Sequence, residues 1–86
     1  MSLEEIVSKY IACAEKTLGQ MKNIENRVNV DAKSIYNVLE FAKAYLDDAK
    51  YYWDKKRFEV SLASVAYCEG LLDVLIIMEK TSNKQL

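Results

Sequence analysis

Proline is missing from the 86 residues, and glycine occurs only as Gly19 and Gly70. Hairpins, bulges and tight turns draw on these two residue types for their special backbone angles, so a β architecture has almost nothing from which to build its turns. Apolar residues recur instead at three- and four-residue steps, the spacing that stacks side chains on one face of a helix. The chain therefore reads as all-α. No repeat, low-complexity tract or linker divides it, and residues 1–86 are expected to form one helical-bundle domain.

Three helices follow, over about 3–26, 31–53 and 56–81. Ser2 and Glu5 have capping-box spacing at the start of the first, whose apolar stripe runs Leu3, Ile6, Val7, Tyr10, Cys13, Ala14, Leu18, Met21, Ile24 and Val28, with Gly19 on the opposite face. Asp31 is placed to cap the second helix, with Val30 and Ile35 as a hydrophobic staple, which puts the first turn near residues 26–30. The second stripe is Ile35, Val38, Leu39, Ala42, Tyr45, Leu46, Ala49, Tyr52 and Trp53. Tyr36 and Tyr51 fall outside it, and Phe41 lies at its margin.

The break at 54–57 contains neither glycine nor proline. It rests on length, because a fused helix of about 50 residues would be far longer than globular helices are. Asp54 is the expected cap of the third helix, with Trp53 and Phe58 stapling the turn. Three helices of matched length, each about 35 Å, can pack antiparallel at about 20°. The expected fold is an up-and-down antiparallel three-helix bundle.

The third helix is unlike the other two, because apolar residues cover nearly its whole circumference from Leu62 to Met78. A helix apolar on all sides is normally covered on all sides, so either the other two helices enclose it or a second surface meets a partner. Its longest unbroken apolar run, Val74 to Met78, falls well short of the roughly 20 residues that span a bilayer, which argues against a membrane segment.

Charge and chemistry narrow the function classes. Twelve basic and thirteen acidic side chains give a net charge of −1, which offers no field to gather a polyanion. No histidine is present, and Cys13 and Cys68 are too few for a thiolate cage, so zinc sites and imidazole catalysis lack their ligands. Both cysteines read as reduced core thiols, and without a secretory signal the expected location is the cytoplasm. Ser61 and Ser64 have no activating base, so nucleophilic catalysis is not expected and the chain reads as no enzyme.

Two constellations have both a functional and a structural reading. Lys50 to Phe58 interleaves aromatic rings with Lys50, Lys55, Lys56 and Arg57, as single-strand binders do. Tyr52, Trp53 and Phe58 already have core positions, however, and the net charge argues against nucleic acid. Glu69 and Asp73, one turn apart, form the only acidic stripe of the third helix. They could hold Mg²⁺ or transfer a proton; the structural alternative is a solvated stripe, or an Asp73 bonded to a neighbouring tyrosine or lysine. The structural reading is preferred in both cases. Lys43 and Asp47 are spaced for a surface ion pair, and Gly70 for a close helix contact against Ala14 or Ala42.

Between residues 48 and 73 the sequence has a tyrosine pair, an acid-lysine turn, an aromatic, an alanine-rich helix, a tyrosine and a closing Gly-Leu-Leu-Asp, carried by Tyr51, Tyr52, Asp54, Lys55, Phe58, Leu62, Ala63, Tyr67, Gly70, Leu71, Leu72 and Asp73. This pattern resembles the archaeal domain-of-unknown-function family numbered 357. Lys56-Arg57 stands where relatives have what looks like Gly-Asp. The resemblance implies a three-helix bundle of the albumin-binding-domain type with no established activity, and similar domains occur joined to nucleotidyltransferase-like domains.

The leading expectation is a non-enzymatic module for protein interaction or self-association, without cofactor or metal, acting through the surplus apolar surface of the third helix. The alternative is a small-ligand or nucleotide-binding accessory domain in which Tyr51, Tyr52, Tyr67, Glu69 and Asp73 line a pocket near the second turn.

Overall fold

The computed structural model describes residues 1–28 and 31–84, with side chains through Ser82. Helix α1 spans Leu3–Gln20, a single 3₁₀ turn spans Ile24–Asn26, α2 spans Ala32–Asp54 and α3 spans Phe58–Lys84. All three helices pack against one another in an all-α, up-and-down bundle, and α2 and α3 form the most extensive of the contacts. No strand occurs among the described residues.

The helix starts follow the capping chemistry of the sequence. Ser2 Oγ accepts from the Glu5 amide at 3.2 Å while Glu5 Oε1 accepts from the Ser2 amide at 3.4 Å, which completes the capping box. Asp31 caps α2, accepting from the Lys33 amide at 3.3 Å and from Ser34 Oγ at 3.1 Å. Val30, the other half of the expected staple, lies outside the described residues.

The helix ends depart from expectation. Helix α1 stops at Gln20, some six residues early. Asn23 takes a left-handed φ of 61°, a conformation asparagine tolerates better than most residues, and the chain folds under so that Ile24 is fully buried. Arg27 holds this corner. Its guanidinium donates to the carbonyls of Lys22 at 3.0 Å and Gln20 at 3.3 Å, and to Glu79 Oε1 at 2.9 Å, so one side chain satisfies carbonyls at the end of α1 and ties the turn to α3. The helices are therefore unequal: α1 has 18 residues and α3 has 27, or about 27 and 40 Å at 1.5 Å per residue.

At the second break, Asp54 is the last residue of α2 and not the cap of α3. The Arg57 amide donates to Tyr52 O at 2.9 Å and the Lys56 amide to Trp53 O at 3.0 Å, the paired bonds of a Schellman motif. Lys56 occupies its left-handed position with φ 62°. The contact that usually seals this motif is apolar; here the Arg57 guanidinium lies 5.9 Å from the centre of the Tyr52 ring. Trp53 and Phe58 still meet edge to face at 5.9 Å, and Trp53 Nε1 donates to Glu4 O at 3.1 Å, which pins the end of α2 to the start of α1.

The core is one cluster built from Val7, Ile11, Ala14, Met21, Ile24, Ile35, Ala42, Leu46, Ala49, Val65, Cys68, Leu72 and Leu75. The α2 stripe agrees with the sequence reading except at Tyr52, which is half-buried beside Tyr51 and Arg57 and not packed on the core. On α1 the buried face is turned by part of a step: Ile11 joins the core, while Leu3, Tyr10 and Cys13 are exposed at its margin. Gly70 makes no close approach, since a Cβ built there meets nothing within 4 Å. The intimate contact between helices lies two turns earlier, where fully buried Ser61 donates from Oγ to the Ala49 carbonyl at 2.6 Å.

Lys56 pays the steric cost of a left-handed Cβ, about 1 kcal/mol, at a position glycine occupies freely. Lys56→Gly is expected to raise the thermal midpoint by about 4–8 °C, the shift that about 1 kcal/mol produces in a domain of this size. Lys55→Gly, at φ −85°, is expected to give no gain. Circular-dichroism melts of both variants check this.

Candidate interaction surface

The circumference of α3 is divided among the core, the α1 side and an outward side. Ser61, Val65, Cys68, Leu72 and Leu75 face the core; Leu62, Glu69 and Ile76 turn toward α1; Leu71 is half-buried; and Ala63, Ala66, Tyr67, Gly70, Val74 and Ile77 are exposed, with exposed Asp73 bordering them on the α1 side. The apolar exposed positions lie within about 100° of one another at 100° per residue, so they form one outward stripe, with Asp73 about 20° beyond its α1 border. Tyr67 is 64% exposed, Ile77 61% and Val74 47%. Between Val60 and Met78 only Glu69 and Asp73 carry charge, and both line cavities on the α1 side.

The stripe continues onto α2. Tyr45 and Tyr67 stack with ring centres 5.2 Å apart, and the Ser61–Ala49 bond fixes the antiparallel register. One turn along each helix from the tyrosine pair, Phe41, 62% exposed, comes level with Gly70 and Leu71. The margin position of Phe41 in the α2 pattern thus becomes the flank of the α3 face.

The five residues expected to share a ligand pocket are spread over separate places. Tyr51 and Tyr52 meet edge to face at 5.2 Å near the end of α2, with Lys55 Nζ 5.5 Å from the Tyr51 ring centre. Tyr67 lies against Tyr45, six residues or about 9 Å along α2 from Tyr51. Glu69 and Asp73 lie toward α1, where with Cys13, Ala14, Thr17, Leu72 and Ile76 they line a cavity of about 100 Å³. Glu69 also lines a groove of about 440 Å³ with Leu3, Ile6, Tyr10, Leu62, Val65 and Ala66. The tyrosine pair and Tyr67 line neither.

Lys50, Lys55 and Arg57 of the aromatic segment are engaged within the chain. Lys50 pairs with Glu15 at 2.6 Å and Arg57 with Glu59 at 3.6 Å. Lys43 pairs with Glu40 on the preceding turn at 3.4 Å, in place of the expected pair with Asp47. No cluster of three or more potential metal ligands occurs among the described residues.

Two titratable groups on α3 are perturbed. Burial, and then the neighbouring Asp73 carboxylate, raises Glu69 above its usual 4.5, and its Oε1 is buried without a hydrogen-bond partner among the described residues. Burial, with a smaller contribution from Glu69, pushes the Cys68 thiol up to about 11. The two cysteines therefore differ in character: Cys68 is a core thiol, whereas Cys13 is exposed at the cavity mouth and not in the core.

A carboxylate whose folded-state pKa is raised favours folding fully below the unfolded value near 4.5 and loses that contribution as pH rises through the folded value. Glu69→Gln is expected to raise the thermal midpoint at pH 7 relative to pH 4, compared with the parent; equal pH dependence of the two proteins would contradict the assignment. In the native protein one thiol, Cys13, is expected to react with a thiol reagent at pH 8, and Cys68 only after unfolding. Mass spectrometry of the labelled peptides distinguishes them.

By length and composition alone, residues 58–82 of α3 suffice to cross a bilayer, a test that the core helix of a bundle also passes. No curated protein and no solved structure matches the chain. A sequence profile for a family described as protein of unknown function, DUF357, matches residues 9–81, reaching well into α1, where the sequence offered no motif. The chain belongs to that family.

Proposed function

We propose that this chain is a non-enzymatic interaction module that docks a protein surface, its own or another's, through the outward face of α3. The observation that supports this is the exposure of Tyr67, Val74 and Ile77 on a helix face whose nearest charge between Val60 and Met78 is Asp73, at its α1 border. With Phe41 they expose roughly 400 Å² of side chain, if an aromatic ring accounts for about 200 Å² and an aliphatic side chain for somewhat less. A patch of this size falls within the range of the largest on ordinary monomers, about 300–600 Å², and such patches are frequently functional.

Helices α1 and α2 provide the internal comparison. Their outward sides carry Lys9, Lys16, Glu40, Lys43 and Asp47, as solvated helix backs do. The back of α3 has the composition of a surface that is covered. In this reading the chain acts in the cytoplasm and needs no cofactor.

A photo-crosslinking amino acid placed at Ile77, with a control at Lys16 on the back of α1, tests the reading inside the cell of origin. Crosslinked species of defined mass are expected from position 77 and not from position 16. Their absence at 77, or equal yield at both positions, overturns it.

A further inference from the structure

We infer that the occupant of this face is a second copy of the same chain, with the two α3 helices antiparallel and crossing at Gly70. The inference rests on the docking role proposed above and adds the identity of the partner. The stripe is complementary to itself when reversed. Ala63 and Ile77 stand seven residues to either side of Gly70, and Ala66 and Val74 stand four to either side. Antiparallel pairing about a two-fold axis at Gly70 therefore brings each alanine level with a branched side chain of the second copy. Tyr67 falls beside Val74 of the second copy, and Phe41 lies next to the axis.

Charge follows the same reversal. Glu59 lies eleven residues before Gly70 and Lys80 ten after it, so each end of the pair brings Glu59 of one copy near Lys80 of the other. Both are exposed, Glu59 beside Arg57 of its own chain at 3.6 Å, and the one charge between them on the exposed side of α3 is Asp73, at the α1 border of the stripe. Gly70 has the remaining requirement for close crossing: it is exposed, and the space before it is empty in the single chain. Two such faces bury roughly 800 Å² of side chain, below the 1,200 Å² of standard complexes, so the dimer is reversible and weaker than about 1 µM.

Sedimentation equilibrium of the full chain from about 5 to 500 µM brackets that affinity, and the average mass is expected to rise from one chain to two. Gly70→Leu fills the crossing point while replacing a poor helix former. The thermal midpoint at low concentration is expected to hold or rise, and association to weaken at least tenfold. Glu59→Lys and Lys80→Glu are each expected to weaken association severalfold at low salt, and the double exchange to restore it. This second set of variants decides the matter if Gly70→Leu alters the fold.

A chain that stays monomeric throughout, or a dimer that neither Gly70→Leu nor the charge exchanges weaken, overturns the pairing. A monomer that still crosslinks from Ile77 to a protein of another mass removes self-pairing and leaves the docking role standing. A monomer with no crosslink removes both.

Discussion

The stripe Ser61, Val65, Cys68, Leu72 and Leu75, at alternating steps of four and three along α3, is the surface on which the other two helices are assembled. Each of its members is essentially inaccessible to solvent. Its first residue matters beyond its size. The small Ser61 side chain lets α2 come close enough for Oγ to reach the Ala49 carbonyl, and Ala49 offers only a methyl group in return. That bond sets the register of the α2–α3 pair, from which follow the stacking of Tyr45 on Tyr67, the packing of Trp53 on Phe58 and the placement of α1 along the remaining side. A hydroxyl buried without such a partner would cost about 1–3 kcal/mol, so the register is fixed by satisfaction of a polar group as well as by apolar contact.

The helices and the α2 core face were legible in the sequence because they rest on repetition, in which many residues agree and no single one decides. The helix ends were less so, because each depends on one residue doing something unusual. Asn23 and Lys56 both take left-handed angles, and neither is the glycine that would have announced it. Arg27 is a distant example of the same difficulty: besides the nearby carbonyls of Gln20 and Lys22, it binds Glu79, fifty-two residues away.

The candidate site was legible only in part, for a related reason. The surplus of apolar surface on α3 could be read from the sequence, but the direction in which each tyrosine points could not. Tyr51, Tyr52 and Tyr67 are close in sequence, yet a helix reversal lies between the first two and the third, and antiparallel register sends Tyr67 back along α2 to Tyr45. Glu69 and Asp73 go to the opposite side of α3, where burial raises both the Glu69 carboxyl and the adjoining Cys68 thiol, with smaller contributions from Asp73 and Glu69 respectively. Proximity along the chain thus overstated how far these five side chains could act together.

Folding of a single chain does not by itself explain the outward side of α3. Charged residues there would leave the core untouched, as they do on the backs of α1 and α2, and an alanine at position 70 would favour the helix by about 1 kcal/mol. A Cβ at that position meets no atom of the same chain within 4 Å. The glycine therefore lowers helix stability without an intramolecular contact in return, on the same stripe where charge is withheld and branched side chains stand exposed. Contact with a surface outside the chain makes sense of all three features together, because close approach, desolvation and shape are what a covered helix face requires.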